Sequence, residues 1–114
     1  MAERKKQALS PRHAFARRMA QLVRENKLGR ATTPKLEELD GRKFYQVPFE
    51  GGRINVYGPE FVQVEYKMGD RDEARVFETT NRAERFFRMA VINGNWKEAA
   101  KIPTKKPQEE VDKE

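Results

Sequence analysis

The sequence predicts an α+β domain made of an N-terminal helix, a four-stranded antiparallel meander, and a C-terminal helix followed by a short helical turn. Three observations predict it. Apolar residues recur at helical spacing near both ends, four consecutive central segments alternate with period two, and short glycine-bearing turns separate those segments.

Residues 1–9 are charged and show no apolar period, so they are expected to form a disordered basic arm. The domain is expected to span residues 10–102. Ser10-Pro11 opens the first helix, a capping hydroxyl followed by proline at the first helical position. Phe15, Met19, Leu22, Val23 and Asn26 then fall on one face, with His13, Arg17, Gln21 and Arg24 opposite, and Gly29 is a natural stop. Residues 30–41 read as a polar connector with one helical turn at 35–39.

Residues 43–49 alternate, and Gly51-Gly52 offers the positive-φ positions of a tight hairpin. Residues 53–57 alternate again up to Gly58-Pro59. Residues 61–68 form the cleanest strand, and Gly69-Asp70 turns it into a fourth strand at 73–78. Short turns between neighbouring strands make antiparallel pairing the simplest arrangement. Asn81 and Glu84 have capping-box spacing, and Ala83, Phe86, Phe87, Ala90 and Val91 form an apolar stripe that Asn93-Gly94 ends. A short amphipathic turn from Trp96 to Ile102 precedes a charged tail at 103–114, expected to be disordered.

Composition bounds the function. The 114 residues are 37% charged and 37% hydrophobic, enough for one modest core. Zero cysteines exclude disulfides and thiolate metal sites. The chain lacks both a run of roughly 18–20 apolar residues and a secretory leader, so a cytoplasmic protein without membrane partners is expected. Positive charge is concentrated early: residues 1–30 hold nine Lys/Arg against two acids, whereas the whole chain carries only +6. Such a segment suits a polyanion.

Strand alternation sorts the sheet into an aliphatic face (Val47, Ile54, Val56, Val62, Val64, Tyr66, Ala74, Val76) and an aromatic-basic one. The second is expected to show Phe44, Arg53, Tyr57, Phe61, Lys67, Arg75 and Phe77 among the amides Gln46, Asn55 and Gln63 and the acid Glu65. Rings of this kind stack unpaired bases while cations neutralise phosphates. Arg12, Arg17, Arg18 and Arg24 on the first helix offer a second phosphate-binding surface. A structural alternative keeps the rings in the core and the arginines as a solvated helix face.

Catalytic equipment is sparse. The single Ser10 and single His13 stand three apart at a helix start, with no arrangement of nucleophile and base. The Asp70, Asp72, Glu73 cluster lacks calcium-loop spacing. No cofactor or metal is expected. Glu65-Tyr66-Lys67 with Glu60 upstream resembles the acid…Glu-x-Lys pattern of restriction-endonuclease-type metal nucleases. It departs from that pattern in placing Glu60 at the start of the same strand. Four strands followed by a helix also resemble, at the level of architecture alone, the small single-strand-binding domains of the Whirly and transcriptional-coactivator type.

The expected function is therefore a non-enzymatic nucleic-acid-associated module favouring single strands. Its binding residues are expected to be Arg12, Arg17, Arg18, Arg24, Arg53, Tyr57, Lys67, Arg75 and Phe77. The alternative is a protein-binding adaptor or inhibitor, in the style of phage or mobile-element proteins. It would dock Phe86, Phe87 and Trp96 on a partner or on a second copy of the chain, and its basic helix would meet an acidic protein surface.

Overall fold

The computed structural model describes residues 10–30 and 33–105; the expected basic arm and residues 106–114 of the expected tail lie outside them. Helix α1 runs Pro11–Glu25 and is followed by strands β1 (Lys35–Leu39), β2 (Arg42–Phe49), β3 (Gly52–Gly58), β4 (Phe61–Met68) and β5 (Arg71–Phe77). Helix α2 (Thr80–Phe86) continues into a π-helical segment, Phe87–Ile92, and a short helix α3 (Trp96–Ala99) closes the domain. The class is α+β, but the sheet has five strands in sequential antiparallel order rather than four.

The additional strand is β1, where the sequence suggested a helical turn. Asp40 and Gly41 take φ of 52° and 79°, both positive, and this two-residue turn pairs Leu39 with Arg42. Consecutive positive-φ residues match the twist of a hairpin, so residues 35–39 are laid against β2 as a strand. The next hairpin also differs in detail. Its turn residues are Glu50-Gly51, and Gly52 is already the first residue of β3, paired with Phe49. Gly51 supplies the positive φ of 100°. Gly52 is required for a different reason: a Cβ there would collide with the Glu65 carbonyl oxygen and lie 2.9 Å from the Phe49 ring.

Local chemistry sets the helix ends. The Ser10 hydroxyl accepts from the His13 amide at 3.2 Å, and the Thr79 hydroxyl accepts from the Arg82 amide at 3.1 Å. The cap of α2 is thus Thr79 rather than Asn81. All three helices lie on one side of the sheet. Phe15, Ala16, Met19, Leu22 and Val23 of α1 and Ala83, Phe86, Phe87 and Ala90 of the α2–π segment pack on Val47, Phe49, Ile54, Val56, Val62, Val64, Tyr66 and Phe77. The chain stays on the domain beyond Ile102, since the Lys105 amide donates to the Val76 carbonyl at 2.6 Å. Among the described residues no helix is long and apolar enough to cross a membrane.

Candidate nucleic-acid interface

Cross-strand register decides which side chains the open sheet face carries. Arg53 pairs with Glu65, Asn55 with Gln63, Gln46 with Asn55, and Lys67 with Asp72, all facing away from the helices. Phe44, Tyr57 and Phe61 share that face, as the sequence suggested. A register shift between Val56 and Gly58 leaves Tyr57 at a bulge. Its ring stacks on Phe44 with centroids 4.6 Å apart and meets Phe61 edge-on at 5.1 Å.

Two expected members of this face belong to the other one. Val62 pairs with Phe77 and Val64 with Arg75, so both residues point toward the helices, while Ala74 and Val76 take the open face. Phe77 is fully buried against Phe86, with centroids 5.2 Å apart, and cannot stack a base. Arg75 donates to the Tyr66 hydroxyl at 2.9 Å and lies over the Phe86 ring at 5.7 Å. The reason is register. The two-residue turn at Gly69-Asp70 opposes Met68 to Arg71, and strict alternation from there puts Arg75 and Phe77 on the face of Val62 and Val64.

The rings that remain on the open face are already engaged. The Arg42 guanidinium sits 4.8 Å from the Tyr57 centroid and 4.9 Å from that of Phe61, and the Lys105 ammonium lies 6.0 Å from Phe61. Phe44 is buried beneath them. Beside this corner runs a polar ladder. The Asn55 amide, only 3% exposed, donates to Gln63 at 3.0 Å and to Glu65 at 2.7 Å, and it accepts from Gln46 at 3.4 Å. Arg53 closes the ladder on Glu65 at 2.8 Å. A groove of about 500 Å³ at this end is lined by Arg53, Glu65, Lys67, Asp72 and Glu73. Its charges neutralise one another through Arg53–Glu65, Lys67–Asp72 and Arg71–Glu73 pairs.

The same pairing bears on the nuclease-like pattern. Glu65 is held by Arg53 and Asn55, and Lys67 by Asp72. Glu60 precedes β4, about 17 Å along an extended chain from Glu65. Among the described residues no three His, Cys, Asp or Glu side chains converge to hold a metal. His13 stacks on Tyr45 with centroids 4.4 Å apart and the rings nearly parallel.

Positive charge collects on the opposite side. Helix α1 with its flanking residues 10–30, together with residues 80–92, carries nine Lys/Arg against Glu25 and Glu84. The remaining described residues carry ten against eleven acids. Arg17, Arg18, Gln21 and Arg24 recur at helical spacing and line a shallow depression of about 280 Å³ with Ala14. Arg12 turns down instead, donating to the Lys43 carbonyl at 2.8 Å and covering Tyr45. Arg18 is tied across the helices to Glu84, which also accepts from Arg88 at 2.9 Å. These hydrogen bonds hold the Glu84 carboxyl below its ordinary range, against the opposing effect of burial, and hold the Arg18 guanidinium above its own. The two helices therefore present one continuous arginine-bearing layer. Sequence reading missed the contribution of Arg85 and Arg88. Their place opposite the Ala83–Phe86–Phe87 stripe was the available signal.

Comparison of the chain with protein-family models, curated protein sequences and solved structures finds no match. The functional reading accordingly rests on the site's own chemistry.

Proposed function

We propose that this protein is a non-enzymatic nucleic-acid-binding module whose helical layer takes the sugar-phosphate backbone. The observation that carries the reading is the segregation of charge: nine cations against two acids on the helices, beside a sheet and connecting segments that nearly cancel. A one-sided field of this kind attracts a polyanion and orients it on approach. Arg17 and Arg85 are exposed on that layer, and guanidinium groups bind phosphate oxygens through paired N–H donors.

The preference for single strands depends on the open sheet face. There Tyr57 and Phe61 offer rings beside Arg42 and Lys105, but each ring already has a partner. Backbone binding on the helices requires no unpaired base. Fluorescence anisotropy with labelled single-stranded and duplex oligonucleotides at two salt concentrations tests the proposal. Binding to both forms that weakens steeply with salt supports it, and no binding at low salt overturns it.

Of the three anchors expected for an adaptor, two lie in the core and the third, Trp96, is half-buried. Phe86 and Phe87 are core residues, and Trp96 packs on Tyr66 and Phe86. The most exposed large apolar side chains among the described residues, Leu36 and Leu39, lie elsewhere, on β1.

A further inference from the structure

Strand β1 is the unprotected edge of the sheet. The β5 edge is met by the chain's own Lys105, whereas no described strand lies outside β1. All five residues of β1 are exposed, and Leu36 and Leu39, at 54% and 58%, are the two most exposed large hydrophobic side chains among the described residues. An edge strand presents a row of unpaired N–H and C=O groups, a template for another strand. Lys35 and Glu37 stand on the open-face side of β1, carry opposite charge, and make no ion pair or side-chain hydrogen bond within the described residues.

We infer that β1 pairs antiparallel with β1 of a second copy of this chain, with Leu36 on the twofold axis, giving one continuous ten-stranded sheet. The register follows from charge. A twofold perpendicular to the sheet keeps each residue opposite one on the same face. Centring on Lys35, Glu37 or Glu38 would oppose two like charges directly, which destabilises a strand pair. Centring on Leu39 would place Glu38 against Asp40. Centring on Leu36 instead puts the two leucines together on the helix side and sets Lys35 against the second copy's Glu37 on the open side, twice by symmetry. This register satisfies Lys35 and Glu37, which have no charged partner among the described residues. It also places both helical layers on the same side of the joined sheet. The inference stands independently of nucleic-acid binding.

Analytical ultracentrifugation of the full chain, free of nucleic acid, from about 10 µM to about 1 mM tests it. Self-association is expected for the unaltered protein. Lys35→Glu and Glu37→Lys should each raise the dimer dissociation constant about tenfold or more, since each turns two attractive charge pairs into repulsive ones. The double variant K35E/E37K should return to within about threefold of the unaltered value, because it restores both pairs with the signs exchanged. Circular dichroism will show the variants folded, as both side chains are exposed. A chain that stays monomeric over the whole range overturns the inference. So does a dimer that single charge reversals leave unchanged, or a double variant no tighter than either single.

Discussion

Arg18 and Glu84, 66 residues apart in sequence, form a two-bond fork, Nε to Oε1 and Nη2 to Oε2, each 2.7 Å. The fork joins the outer surfaces of α1 and α2 above the core that both helices cover. Its Glu84 side chain is 18% exposed and its Arg18 side chain 54% exposed, so solvent screens one partner and only partly the other.

Replacing Glu84 with Gln should therefore destabilise the fold by about 1 kcal/mol in urea denaturation at neutral pH. The pH dependence has a definite sign. A carboxyl held below its ordinary range stabilises the fold fully above that range, and the contribution is lost as pH falls through the lowered folded value. The stability gap between the unaltered protein and E84Q should thus close on acidification. A gap that is constant with pH would show that the ion pair contributes nothing.

Gly52→Ala should cost about 3 kcal/mol or more. The new methyl would have to displace the β4 backbone at Glu65, not merely a flexible side chain. Gly51→Ala meets no atom within 4 Å, and its cost comes from the positive φ alone, about 1 kcal/mol. Thermal melts of the two variants should rank in that order.

Arg17→Ala combined with Arg85→Ala should weaken oligonucleotide binding while leaving stability within about 0.5 kcal/mol of the unaltered protein, since both side chains are exposed. The slope of log affinity against log salt should fall by about 0.9 for each duplex phosphate that the variant no longer neutralises. An unchanged slope would take both residues out of the interface. Arg18 is the wrong residue for this test, because its removal also breaks the Glu84 fork.

Arg42→Ala should cost about 0.5–1 kcal/mol, the contribution of a cation over half-buried rings, here shared by Tyr57 and Phe61. Urea unfolding measures it. No change in stability would show that Arg42 leaves the rings free in solution.

Much of the fold was legible from turn chemistry and periodicity. The Ser10 cap, the apolar stripe of α1 and the central hairpins are local properties, determined by residues within a few positions of one another. β1 was legible in principle from Asp40-Gly41, a strong hairpin dipeptide, but residues 35–39 contain no β-branched residue and alternate poorly. The parity of β5 could also have been read. A two-residue turn at Gly69-Asp70 opposes Met68 to Arg71, and counting from there turns Phe77 inward. The Arg18–Glu84 fork could not have been read, because nothing local marks which of several arginines on α1 will face a carboxylate on α2.

The sequence by itself determined a small α+β domain, the Ser10 cap of its first helix, most of its turns and an early concentration of arginine, since each of these follows from short-range sterics or from composition. Only the tertiary structure decided which charges on the helices are neutralised and which surfaces the helices share. It tied Arg18 to Glu84 and left α1 and α2 to share one basic layer. Those outcomes depend on packing helices and pairing charges across long sequence separations, and a reading along the chain has no access to either.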